Sequence, residues 1–140
     1  MNSPVFEKGA DFGGVQLSEE VGMYVDRLRA EHDSIDAVWL VGDRVNAEDA
    51  RETPWELLVF ADGRTLQALR NDRGWRRDDI ALSVVTDGDR FEPVWNEGGA
   101  ASTFKGGSLR ALSWRADTAQ TATYTSHGDA GIKRRALRVR

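Results

Sequence analysis

The sequence predicts one mixed α/β (α+β) domain, a β-sheet with two helices on one face that runs on into an antiparallel C-terminal meander. Three observations predict it. Apolar residues at Val21, Tyr24, Val25 and Leu28 repeat at the i, i+3, i+4, i+7 spacing of an amphipathic helix. Two largely apolar runs, 35–41 and 55–61, have strand length and include β-branched and aromatic residues. From about residue 108 the texture changes to short alternating runs separated by turn residues.

Residues 1–16 are Gly-rich and aperiodic and read as a flexible lead-in; 17–140 read as a single domain. Ser18 is placed to cap the first helix, with Glu19 and Glu20 in the turn where the helix dipole favours acids, and Asp33-Ser34 ends it. The first strand stops at Gly42. A polar stretch, 43–54, closes on Pro54, and the second strand runs from Trp55 to Ala61 before Asp62-Gly63. Leu66 and Leu69 predict a short helix over Thr65–Asn71, and Ile80–Val85 predicts a third strand.

Asp87-Gly88-Asp89 is a hairpin turn rather than a calcium loop, because the ligand series stops there. Arg90–Trp95 then returns antiparallel, with Pro93 pointing to a sheet edge. After a Gly-rich loop, Asn96–Gly107, strands are expected at Leu109–Trp114, Gln120–Thr125 and Ile132–Val139, with turns near Asp117 and Gly128-Asp129.

The chain of 140 residues is about one domain long, and 40% hydrophobic with 30% charged residues is an ordinary globular balance. Without cysteine it has no disulfide, thiolate zinc site or thiol nucleophile. No apolar run approaches the roughly 18 residues of a membrane span. The N-terminus lacks the basic-then-apolar pattern of a signal peptide, so a cytoplasmic location and no membrane partner are expected. The net charge of −4 is unevenly spread: residues 1–104 carry 11 Lys/Arg against 21 Asp/Glu, and residues 105–140 carry 8 against 2. A basic end on an acidic body marks either a polyanion contact or simple complementation of the body.

The polar stretch between two apolar strands is the feature most suggestive of function, since connections of that length are often functional. The segment Val38-Trp39-Leu40-Val41-Gly42-Asp43-Arg44, followed fourteen residues after Gly42 by Glu56-Leu57-Leu58-Val59, resembles a minimal nucleotidyltransferase domain. In that family an amphipathic helix leads into a strand ending in Gly-Ser-Arg, and a polar loop leads to an Asp-apolar-Asp-apolar strand. Laid on this chain without a gap, the family's Gly falls on Gly42, its Arg on Arg44 and its second Asp on Glu56.

The matching core spans about 18–96, with the C-terminal strands at about 108–139. The departures lie in the metal ligands: Asp43 stands for the serine, Pro54 for the first carboxylate, and the third carboxylate falls near Ser83, with Asp79 and Asp87 at the strand ends. Paired carboxylates in such enzymes hold two Mg²⁺ ions against a triphosphate.

The resemblance therefore implies a degenerate, non-catalytic module that binds a ligand or a protein partner. Gly42, Asp43, Arg44 and Glu56 are the candidate nucleotide- or phosphate-binding residues, and Glu56 and Asp43 the weak metal candidates. The first alternative is an active, Mg²⁺-dependent nucleotidyltransferase using Glu56, Asp43 and a third acid near Asp79 or Asp87. The second places function in the basic strands, where Arg134, Arg135, Arg138 and Arg140 would meet a nucleic acid or acidic partner. It ranks last, because the acidic body opposes a polyanion.

Glu56 also admits a plain reading, an acid at the solvent rim of the sheet paired with Arg44 or Arg51. Arg44 also admits the reading of a surface arginine, and His32 reads as a helix-end residue and His127 as a turn residue. Lys105-Gly106-Gly107-Ser108 reads as a flexible turn, since it lacks the spacing of a phosphate loop. Trp39, Trp55, Trp95 and Trp114 fall on or at the ends of strands and are expected in the core, with Trp75 in a loop.

Overall fold

A computed structural model describes residues 16–46, 53–95, 100, 104–125 and 132–140. The lead-in up to residue 15, Arg51, His127 and the turn at Gly128-Asp129 lie outside the described residues. Helix α1 spans Glu19–Glu31, and the Ser18 side chain accepts from the Val21 N–H at 3.2 Å. Its stripe of Val21, Tyr24, Val25 and Leu28 is buried, each side chain contributing about 1.5–3 kcal/mol of gross hydrophobic stabilisation.

The strands are β1 (Ala37–Val41), β2 (Trp55–Phe60), β3 (Ile80–Val85), β4 (Arg90–Pro93), β5 (Gly107–Ser108), β6 (Arg115–Ala116), β7 (Thr121–Thr125) and β8 (Lys133–Arg138). Between β1 and β2 lies a one-turn helix, α2 (Asp43–Asn46), which composition had concealed in the polar stretch. Helix α3 (Gly63–Arg70) follows β2, capped by the Asp62 carboxylate on the Thr65 N–H at 2.8 Å. A 3₁₀ turn, Arg73–Trp75, leads into β3.

Among the described residues the strands form one curled mixed sheet in the order β5-β4-β3-β2-β1-β8-β7-β6. Strands β2 and β3 run parallel and every other neighbouring pair is antiparallel. The most apolar strands, β1, β2 and β3, therefore lie inside the sheet and are covered on both faces, as near-continuous apolar runs require, with Glu56 and Ser83 the polar residues among them. The C-terminal meander joins this sheet directly, because β8 pairs with β1 through Trp39 and Leu40 opposite Arg138 and Leu137.

One face packs Val38, Leu40, Leu57, Val59, Leu82 and Val84 against α1 and α3. The two helices expected on one face are there. The opposite face gathers Trp39, Val41, Leu58, Val85 and Phe91 with Phe104, Leu112, Trp114 and Tyr124. Aromatic contacts close it: Phe104 lies 5.2 Å from Tyr124, and Trp114 stacks on Tyr124 at 5.9 Å.

Two expectations need correction. Leu109–Trp114 is a turn and not a strand. The Trp114 N–H donates to the Leu109 carbonyl and the Ser113 N–H to Arg110, the paired bonds of a Schellman closure, with Ser113 at φ 55. Leu109 and Leu112, spaced three apart, both point into the core, which suits a turn and not an alternating strand. Trp75, expected in a loop, closes the 3₁₀ turn and is buried: it is 2% exposed, its carbonyl accepts from the Tyr24 hydroxyl at 2.7 Å, and its ring meets Tyr24 edge-on. Among the described residues no helix is long and apolar enough to cross a membrane.

Candidate functional site

The strands that carry the expected site are adjacent, β1-β2-β3, and their register places Val41 opposite Glu56 and Leu58 opposite Ser83. Alternation along β2 sends Trp55, Leu57 and Val59 toward the helices, so Glu56 faces the other side with Leu58. Ser83 faces that side too and donates its hydroxyl to the Phe104 carbonyl at 3.1 Å. Positions 56 and 83 thus share a face of the sheet, but only the first is acidic.

Glu56 does not sit at a solvent rim; it is 4% exposed. Its carboxylate lies against Gly42, where a β-carbon would come within 2.0 Å of Oε2. Gly42 has φ +79, a left-handed conformation that glycine adopts without strain, and it turns the chain from β1 into α2. The Gly42 N–H donates to the Tyr124 hydroxyl at 3.2 Å, across 82 residues of sequence. Burial pushes the Tyr124 pKa up to about 12; the Gly42 hydrogen bond and Arg134 oppose this, while the charges of Glu56 and Asp43 add to it.

Asp43 is half exposed and pairs with Arg134 at 3.6 Å. Arg44 turns away from the other candidates: its Nε donates to the Thr53 carbonyl at 2.9 Å, and its guanidinium lies 4.2 Å over the Trp55 ring. It fastens the start of the polar stretch to its end. Gly42, Asp43 and Glu56 are therefore brought together, with Arg44 diverted to the flank.

Two residues of this cluster escaped the sequence reading. Tyr124 arrives from β7, and nothing local marks a buried tyrosine as a partner of a distant glycine. Asn46 donates to the Gly42 carbonyl at 2.8 Å and to the Arg135 carbonyl at 3.1 Å, while its own oxygen accepts from the Arg135 N–H at 2.7 Å. Its amide acts as a short strand partner for β8. An asparagine closing a polar helical turn was the available signal.

The acids proposed to replace the third carboxylate are engaged elsewhere. Asp79 makes two contacts of 2.9 Å with Arg77, and Asp87 accepts from the backbone of Asp89 and Arg90, which lowers its pKa. They stand beyond opposite ends of β3. Of the four C-terminal arginines, Arg134 pairs with Asp43, Arg140 with Asp26 at 2.7 Å, and Arg138 donates to the Asp36 and Arg140 carbonyls. Two of the four thus complement carboxylates of the acidic body.

No protein-family model matches the chain, and no curated protein or solved structure matches it either.

Proposed function

We propose that the chain is a non-catalytic, nucleotidyltransferase-like module that works by binding a ligand or protein partner. One observation carries this reading: the acid at the family's ligand position, Glu56, is shut beneath Gly42 and Tyr124 within the sheet. A carboxylate that serves metal-assisted phosphoryl transfer has to open onto the metal and the triphosphate.

The neighbouring positions support the same reading. Pro54 offers no ligand atom, Ser83 offers only a hydroxyl, and Asp43 is held by Arg134. Among the described residues no three His, Asp or Glu side chains cluster closely enough to hold a metal ion. The donor set does not fit a two-ion site.

The test is a titration of the protein with Mg²⁺ and nucleotide, followed by amide chemical shifts and by assay of nucleotidyl transfer. The expected result is no metal-dependent shift at Gly42, Asp43 or Glu56 and no turnover. Saturable shifts there that require Mg²⁺, with turnover abolished in Glu56→Gln, would overturn the reading in favour of the active transferase.

A further inference from the structure

A second feature lies at the β6 edge of the sheet, bordered by Tyr124, whose hydroxyl meets Gly42. Strand register puts Arg115 opposite Thr123 across β6 and β7, and Lys133 opposite Thr125 across β7 and β8. Opposed residues share a face of the sheet, as do residues two apart on one strand. These four side chains therefore stand together. The Schellman turn, fastened by the Thr125 N–H to the Leu112 carbonyl at 2.7 Å, adds Arg110 and Ser113 from above. Trp114 forms one wall. The result is an open pocket of about 440 Å³, the size of a mononucleotide or sugar phosphate site.

Its charge is one-sided. Arg110, Arg115 and Lys133 line it, and none of its lining residues among those described is acidic, although acids outnumber bases in the chain, 23 to 19. Two other surface pockets among the described residues, of about 460 and 650 Å³, are mixed: one sets Glu19 and Asp26 beside Arg140, the other Asp89 and Glu92 beside Arg90. Elsewhere among the described residues five arginines are paired with carboxylates, Arg27 with Glu31, Arg70 with Glu92, Arg77 with Asp79, Arg134 with Asp43 and Arg140 with Asp26. Among the described residues the side chains of Arg110, Arg115 and Lys133 have no such partner. The carboxylate nearest in the bonding pattern, Asp89, accepts from the backbone N–H of Arg110.

We infer that this pocket binds a phosphorylated small molecule carrying at least two negative charges. Guanidinium groups offer paired N–H donors matched to phosphate oxygens, and Lys133 adds a point charge. The hydroxyls of Ser113, Thr123 and Thr125 supply neutral donors to the remaining oxygens. Trp114 supplies a flat apolar wall for an organic portion of the ligand. The site shares no cation with the Glu56 cluster, so it stands whether or not that cluster is catalytic.

The test is a titration at low ionic strength with three probes, pyrophosphate, ribose 5-phosphate and ADP, read by amide shifts and by the indole N–H signal of Trp114. Saturable shifts at Ser113, Thr123 and Thr125 are expected, weakening as salt is added. If pyrophosphate suffices, the ligand is read by its phosphates alone. If ADP binds more tightly and moves the Trp114 indole, the organic portion is read as well.

Arg115→Gln/Lys133→Gln should lower affinity at least tenfold, and Arg110→Gln should do so separately from another element. Arg29→Gln/Arg64→Gln, which removes the same charge from exposed positions on α1 and α3, should leave it unchanged. Absence of saturable shifts with all three probes, or binding undiminished in the pocket variants, overturns the inference. So would equal losses in the helix variant, which would mark a response to net charge only.

Discussion

The carboxylate of Glu56 occupies the space that a side chain on residue 42 would need: a β-carbon there would stand 2.0 Å from Oε2 and 2.6 Å from Cδ. Glycine at 42 is thus required twice over, by its φ of +79 and by the buried acid beside it. Gly42→Ala should cost about 2–4 kcal/mol, combining the left-handed penalty with overpacking. Urea denaturation measures it. Gly42→Ala/Glu56→Ala should recover the packing part of the loss and keep the backbone part, whereas a double variant no better than the single would show that the carboxylate is not the obstacle.

Tyr124→Phe removes the acceptor of the Gly42 N–H in a buried setting. A loss of about 1–3 kcal/mol at neutral pH is expected, the usual cost of orphaning a buried donor. Amide exchange at Gly42 should quicken by more than the global loss of stability explains.

Alkaline pH should weaken the fold through the same residue. Tyrosine in an unfolded chain titrates near pH 10, while burial holds Tyr124 protonated up to about 12 and also raises Tyr24, whose hydroxyl lies on the Trp75 carbonyl. A raised folded pKa means that this stability is complete below pH 10 and is lost as pH climbs toward 12. The decline is about 1.4 kcal/mol per pH unit for each tyrosine. Denaturation midpoints between pH 8 and pH 11 check this, and the slope should be shallower in Tyr124→Phe.

Asn46→Ala should cost about 1–2 kcal/mol, because the amide makes three bonds to backbone groups of Gly42 and Arg135. The loss should be local. Hydrogen exchange at Arg135 on β8 should accelerate, while that in α1, which has no contact with Asn46, should follow global stability alone.

Ser113→Gly should raise stability by about 0.5–1 kcal/mol. Ser113 holds a left-handed φ of 55 at the close of a Schellman turn, where glycine avoids the steric cost but gives back part of the gain in unfolded-chain entropy. Thermal unfolding measures the difference. A drop would mean that the Ser113 hydroxyl makes a contribution larger than the backbone strain.

What was legible in the chain was what neighbours in sequence decide. The Ser18 cap and the Val21, Tyr24, Val25, Leu28 stripe define α1 within one turn at its start, and the largely apolar runs define β1, β2 and β3. These features depend on capping and on burial of both strand faces, and a contiguous stretch of sequence carries both. The stretch 109–114 misled because Leu109, Leu112 and Trp114 suit either a strand or a turn, and only their shared contact with the Tyr124 cluster selects the turn.

The composition of the candidate site was partly legible and its use was not. Gly42 and Glu56 could be named from spacing, as could the missing ligand at Pro54. That Glu56 is buried, that Arg44 turns to Thr53 and Trp55, and that Asp43 meets Arg134 are decided by β8 and β7 closing onto β1. The sequence by itself determined α1, α3, the inner strands β1 to β3 and the glycine that ends β1, because local sterics and solvent avoidance suffice for those. Only the tertiary structure decided that the acid beside that glycine is enclosed by Tyr124, since the enclosing residue comes from 82 positions along the chain and pairing at that distance is set by the packing of the whole sheet.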